Sequence, residues 1–230
     1  MIVVYTAIFG GSDSLKRSPD GADRCVCYTD DEALTGNGWE IVQHKLADPS
    51  RGRSAARCLK VTPDWLFPDA AASVWVDGSI EIRDLPRLIH DAAHARIACL
   101  PHPDRSCCYD EGREVIRLER AHPSKVGEAL ALYQREGFAP TRLSTTGLLY
   151  RRHAPRVAAF NAMWRDHLDR FGINDQVHVD YCAWKCGIEI TDLRGHYRDN
   201  PYAVYDRADH HKRRKPQFNV GNRCEDHYLA

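Results

Sequence analysis

The chain of 230 residues has no apolar run near the ~20 residues needed to cross a bilayer, which excludes a membrane-spanning helix. It has no charge of one sign in surplus. Its 32 basic and 32 acidic side chains cancel, so the whole chain shows no bias toward nucleic acid or an anionic surface. Internal repeats and low-complexity linkers are absent as well. We therefore read one domain, residues 1–195, followed by a polar, locally basic tail, 196–230. The opening Met1-Ile2-Val3-Val4-Tyr5 lacks the basic stretch and cleavage site of a secretory leader and reads as a strand, so a cytoplasmic protein is expected. Paired CxxC sets are missing too. Cys25-x-Cys27, Cys107-Cys108, Cys182-x3-Cys186 and twelve histidines offer zinc ligands, but not in the spacing of a structural zinc site. With nine cysteines, an odd number, free thiols in a reducing compartment are the expectation.

What is present is an alternation of short apolar strands with helical stretches, the pattern of an α/β sheet. Strands are predicted at 3–9, 25–28, 39–42, 74–76 and 148–151. Residues 54–60 look helical. Asp84 is placed to cap a helix from Pro86 to about Ala98, and Ser124 one that Gly137 stops. Val157, Phe160, Trp164, Leu168 and Phe171 make an amphipathic helix ending at Gly172. Asn174 is placed to cap another, with Asp175 and Gln176 in its first turn.

Chemistry concentrates at strand ends. The run Ser73-Val74-Trp75-Val76 stops at Asp77-Gly78-Ser79, which puts a carboxylate at the carboxyl end of a central strand, where open α/β sheets collect ligands. A turn pair with no ligand is the plainer alternative. Thr6 with Phe9 and Gly10-Gly11, Asp30-Asp31, and Thr145-Thr146-Gly147 are further polar strand ends. If these strands are neighbours in one mostly parallel sheet, their ends converge on one edge, as binding of a nucleotide requires. Arg53, Arg57 and Lys60 share a helix face and suit a diphosphate; a solvated basic face is the alternative. His102, Arg105, Tyr109 and Glu111 occupy a segment too polar for a core, which reads as a loop. His210 to Lys215 is a basic cluster, either solvated or in contact with an anionic partner such as nucleic-acid phosphates.

The ordered series Val4-Tyr5-Thr6-Ala7-Ile8-Phe9-Gly10-Gly11, Cys27-Tyr28-Thr29-Asp30-Asp31, Gly38-Trp39-Glu40-Ile41-Val42, Arg53-x3-Arg57-x2-Lys60 and Trp75-Val76-Asp77-Gly78-Ser79-Ile80 continues through His102-Pro103-x-Arg105-x-Cys107-x-Tyr109-Asp110-Glu111, Gly137-Phe138 and Asp175-Gln176. Over roughly residues 3 to 185 it resembles the TOD1/MUCI70-type glycosyltransferase-like family of plant mucilage and pollen-turgor proteins. The resemblance implies a GT-A-like, Rossmann-like α/β domain. Its first half, about 1–100, would bind a nucleotide-sugar and its second, about 101–195, an acceptor. It implies that Thr6, Phe9, Gly10 and Asp30 meet the nucleoside and that Arg53, Arg57 and Lys60 meet the diphosphate. Asp77, Gly78 and Ser79 would hold ribose, metal or sugar. Asp175 and Gln176 would act at the reaction centre, and His102, Arg105, Tyr109 and Glu111 would face the acceptor, which could be a glycan, a lipid or a modified base.

The sequence departs from the Asp-x-Asp pattern of related transferases. The second acid falls at Ser79, a poor metal ligand beside a carboxylate. Manganese or magnesium would then rest on Asp77 and a later histidine, His196 by position; alternatively the basic stripe alone neutralises the diphosphate. Two rival readings remain: a nucleotide-sugar-binding module without chemistry, and a zinc-stabilised nucleic-acid-binding protein.

Overall fold

The computed structural model describes residues 1–172, 174–206 and 224. Seven strands form one sheet in the order β3 (Glu40–Gln43), β2 (Arg24–Thr29), β1 (Ile2–Ile8), β4 (Ala72–Val76), β7 (Ser144–Arg152), β6 (Ile97–Pro101) and β8 (Ile190–Asp192). β1 and β4 are buried along nearly their whole length, as central strands covered on both faces must be. Every neighbouring pair is parallel except those made by β7, which runs antiparallel to β4 and β6. The fold class is therefore the one expected: α/β, a mostly parallel central sheet flanked by helices.

Two apolar layers cover the sheet. One face packs Tyr5, Trp75 and Leu149 against α1 (Gly52–Val61), α4 (Cys108–Arg117), α5 (Pro123–Arg135), α6 (Pro155–Phe171) and α7 (Val179–Lys185). The short α2 (Pro63–Leu66) follows α1. The other face packs Val4, Val74 and Tyr150 against α3 (Leu85–Asp91) and a two-stranded ribbon of β5 (Ile80–Ile82) and β9 (Ala203–Tyr205).

Several local expectations change. α3 stops at Asp91, and the run Ile97-Ala98-Cys99-Leu100, buried throughout, is strand β6 rather than the end of that helix. His122, not Ser124, caps α5, its Nδ1 accepting from Ser124 N, and Pro123 takes the first helical position. Cys107 caps a helix, α4, where a polar loop was expected, so Tyr109 and Glu111 are helical. The expected helix at Asn174 is a 3-10 turn, Asp175–Val177, before α7, and Asn174 makes no side-chain cap. By contrast α6 ends as predicted, with Gly172 in the left-handed region at φ 58°.

The chain does not leave the domain at 195. Tyr202 is fully buried and its hydroxyl donates to Asp91, while Asp206 N donates to Ser79 O. The cysteines also differ from expectation, because Cys58 on α1 and Cys224 form a disulfide. The other seven are free, and burial pushes the Cys25 thiol up to about 11 and the Cys27 thiol up to about 12, which disfavours their thiolate forms. The basic cluster His210 to Lys215 lies outside the described residues.

Candidate active site

The antiparallel course of β7 builds the site. Thr146 and Gly147 lie near the beginning of β7, yet its reversed direction brings them to the edge where β4 ends. There Asp77 N donates to Gly147 O at 2.8 Å, and Ile80 N closes the turn onto Asp77 O at 2.9 Å. A Cβ on Gly147 would sit 3.1 Å from Asp77 Oδ2 and 3.0 Å from the Ile80 side chain, so a larger residue there would have to displace them. Gly78 is tightly enclosed in the same way and has no left-handed backbone: a Cβ there would lie 3.1 Å from Asp13 Cβ and from the Ile8 side chain.

Lys60, near the end of α1, points between two carboxylates. Its Nζ lies 2.8 Å from Asp175 Oδ2 and 3.0 Å from Asp77 Oδ1, with a side chain only 6% exposed. The Lys60 carbonyl is gripped from below by Tyr5 OH and by the buried Arg151 guanidinium, which fixes the end of α1 over the sheet. Trp75 Nε1 donates to Asp77 Oδ1 at 2.7 Å, and the Trp75 ring lies 5.2 Å from the Lys60 ammonium. Asp175 also accepts from Thr146 Oγ1 at 2.7 Å, has Arg57 Nε 3.6 Å from its Oδ1, and has its carbonyl held by Trp164 Nε1. Two cations and two carboxylates thus form one closed cluster.

Burial pulls the Lys60 ammonium toward neutrality, but Asp175 and Asp77 outweigh it and hold Lys60 protonated more firmly than an ordinary lysine. Burial pushes Asp175 up, yet Lys60 and Arg57, with the hydrogen bonds from Lys60 and Thr146, hold its carboxyl well below the usual carboxylate range. Such a carboxylate has little proton affinity. It makes a poor general base and a good fixed anion.

A cavity of about 1000 Å³ opens over this cluster. Phe9, Gly10, Arg53, Arg57, Lys60, Asp77, Gly78 and Ser79 line it on the α1 side, and His102, Arg105, Glu111, Asp175 and Gln176 on the other. Glu111 is 2% exposed, bonded to Arg105 Nε at 2.5 Å and to Asn174 Nδ2 at 3.0 Å, so α4 is tied to the Asp175 turn. Burial raises the Glu111 pKa despite Arg105. Burial also pulls the His102 imidazole down to about 4, leaving it neutral near pH 7.

Four expected residues stand elsewhere. Thr6 faces away from the cavity: its neighbours Tyr5 and Ala7 belong to the helix-covered layer, and Thr6 is 2% exposed with its hydroxyl unpartnered. Asp30 does not line the cavity but accepts from Gly10 N at 2.8 Å, which fixes the loop that does. Tyr109 donates to the Phe138 carbonyl at 2.9 Å, an internal contact. His196 pairs through its backbone with Asp199 and is absent from the cavity wall. Conversely the cavity wall gains Asp13, Thr146, Arg120, His122, Lys125, Tyr197 and Tyr205. Thr146 was legible in its strand-end motif. Asp13 was not, because only the packing of its loop against Gly78 brings it there.

The described residues offer few ligands for a divalent ion at the Asp77 turn. Asp77 Oδ1 is already shared by Lys60 and Trp75, Ser79 adds only a neutral oxygen, and His196 stands off the wall. Asp13, Asp77 and His196 form no three-ligand cluster. The one such cluster among the described residues is Cys58, Asp169 and Cys224, two of which are joined by the disulfide. No described helix is long and apolar enough to cross a membrane.

Comparison with known proteins gives the chain's relatives. A family model described as TOD1/MUCI70, glycosyltransferase-like domain, matches residues 26–194. A probable hexosyltransferase, MUCI70 of Arabidopsis thaliana, is 25% identical over 209 residues, covering 76% of this chain. The chain spans only 36% of that relative's length. A solved structure of mouse xyloside xylosyltransferase 1 in its apo form matches with a TM-score of 0.43 at 8% identity, covering 84% of each chain.

Proposed function

The chain belongs to the TOD1/MUCI70 glycosyltransferase-like family, and on that premise we propose that it transfers a sugar from a nucleoside-diphosphate sugar to an acceptor bound in the same cavity. The observation that carries this reading is the closed set of Arg57, Lys60, Asp77 and Asp175 at the carboxyl edge of the sheet, beneath a cavity large enough for two ligands.

The roles follow from how each charge is held. Lys60 is committed to its two carboxylates, so the diphosphate falls to Arg53 and Arg57, whose planar forks match phosphate oxygens in pairs. Stabilising the departing diphosphate is the largest contribution expected, because negative charge develops there. Asp77 keeps Oδ2 for a ribose or sugar hydroxyl, while its Oδ1 is fixed by Trp75 and Lys60. Asp175 stays ionised and stabilises positive charge on the sugar carbon rather than taking a proton from the acceptor. Gln176 beside it offers an amide that orients the sugar. In this reading no step passes through a metal.

Thermal-shift screening of nucleoside diphosphates and nucleotide-sugars, followed by a hydrolysis assay of those that bind, tests the proposal. A stabilising diphosphate and slow release of sugar support it. Stabilisation without any hydrolysis or transfer leaves a binding module. Absence of any nucleotide effect removes the donor from this cavity.

A further inference from the structure

Cys58, Asp169 and Cys224 come together from three separate parts of the chain. Cys58 lies on α1, Asp169 on α6, and Cys224 beyond the last strand. Their two sulfurs and a carboxylate oxygen lie within 4.8 Å of one another. α1 and α6 pack on the same face of the sheet, through Ala55 and Leu59 on one and Val157, Phe160 and Trp164 on the other. Two of the three groups therefore stand on rigid supports, which is what a metal site needs. The third is held in place by the second, because Asp169 accepts from Cys224 N at 2.7 Å. Asp169 makes further contacts as well, but a carboxylate has about four lone-pair positions and can keep these while ligating a cation.

The two sulfurs are joined to each other, with Cα atoms 5.2 Å apart. The other seven cysteines are free, among them the partly exposed Cys25, Cys107 and Cys186. Partly exposed thiols persist where thiols are kept reduced, and there disulfides are transient. Opening this one takes two electrons and two protons from a dithiol, which leaves as a disulfide while Cys58 and Cys224 become thiols. Cys58 and Asp169 both line the cavity, so a cation has a route to the opened pair. A divalent ion arriving there displaces the two thiol protons and takes the thiolates and the carboxylate as ligands. Sulfur ligands select zinc over magnesium or calcium, and three protein ligands leave the fourth tetrahedral position to a water from the cavity.

We infer that Cys58, Asp169 and Cys224 form a redox-controlled zinc site, a disulfide when oxidised and a three-ligand metal centre when reduced. Either form ties Cys224 to α1, so the metal replaces the staple that reduction removes. The inference stands apart from the transferase reading, because it needs neither donor nor acceptor.

The test uses the full chain, reduced and then freed of reductant under nitrogen, with zinc titrated against a chromogenic chelator. Uptake of one zinc per chain at this site is expected. Cobalt(II) serves as the spectroscopic probe and should show a thiolate charge-transfer band with the intense visible bands of a tetrahedral ion. The oxidised chain should take up neither ion there. Cys58→Ser and Cys224→Ser should each weaken zinc binding about 100-fold or more, and Asp169→Asn about tenfold. Cys224→His keeps the test open should Cys58→Ser fail to fold: it cannot form the disulfide, yet it should bind zinc more tightly than Cys224→Ser and give a weaker thiolate band. No zinc uptake by the reduced chain, or uptake unchanged in the serine variants, overturns the inference. So does equal uptake by the oxidised chain, or an Asp169→Asn chain with unaltered affinity and cobalt spectrum.

Discussion

On the α1 side of the cavity each charge is locked by another. Lys60 and Asp175 are both 6% exposed in their side chains and bonded to each other, and Arg57 leans on the same carboxylate. On the α4–α5 side, Arg120 and His122 are exposed, and Lys125 meets its partner Glu128 in water. The first wall is preorganised and does not need to move when charge develops, which is what stabilising a leaving group demands. The second is solvated and can accommodate different ligands, as an acceptor-binding wall can. The contrast predicts that breaking the buried Lys60–Asp175 pair costs stability, whereas changing an exposed charge such as Arg120 does not.

The largest effect is expected where the lock is broken. Lys60→Met leaves two carboxylates without their shared cation and should cost about 3–5 kcal/mol of stability in urea unfolding. A loss under 1 kcal/mol would show that the cluster is open to water. The pH dependence follows from the same contacts. The Asp175 pKa is lower folded than unfolded, so its stabilisation is full above the unfolded value of about 4 and is lost as pH falls below it. Asp175→Asn should therefore flatten the acid limb of the stability curve between pH 5 and 2, about the range where the wild type loses this contribution. An unchanged limb would mean that other carboxylates dominate it.

Arg57→Ala should weaken nucleoside diphosphate binding by about 1.5–3 kcal/mol, the range of a charge-assisted hydrogen bond, while the bare nucleoside loses little. Equal losses for both ligands would place Arg57 away from phosphate. Ser79→Asp sharpens the question of metal. With only Asp77 nearby it should weaken donor binding by like charge, and donor binding that manganese then restores above wild type would mean a cation belongs at the turn. The smallest effect is expected of Tyr109→Phe, about 1 kcal/mol of stability for its bond to the Phe138 carbonyl, with no change in ligand binding. A binding defect there would return Tyr109 to the acceptor site.

Much of the first wall was legible in the sequence because it depends on short-range rules. Asp77 ends an apolar run, Arg53, Arg57 and Lys60 recur at helical spacing, and Gly172 marks the end of α6. Face assignment was harder: Thr6 on β1 and Phe9 just beyond its end sit three apart, Phe9 packs in the layer of Tyr5 and Ala7, opposite Thr6, and only Phe9 reaches the cavity. The second wall depends on tertiary placement that no local pattern carries. A polar segment after β6 reads as loop until Cys107 is seen capping α4, and Arg120 to Lys125 become neighbours of the site only through the turn at Glu119. Pairing between distant cysteines was equally hidden, since Cys58 and Cys224 lie 166 residues apart. The reversed β7 shows why direction matters: Thr145-Thr146-Gly147 lies at the start of its strand, and in an all-parallel sheet it would have stood at the wrong edge.

The central claim is that a nucleotide-sugar is cleaved over the Asp77–Lys60–Asp175 cluster, and the most direct measurement is sugar release from a nucleotide-sugar panel by the wild type and Asp77→Asn. The account predicts release from at least one donor by the wild type, and a loss of 100-fold or more in a variant that melts within a few degrees of it, on the order of 3 kcal/mol of transition-state stabilisation. Wild-type release by Asp77→Asn, or none by the wild type from any donor it binds, would contradict it.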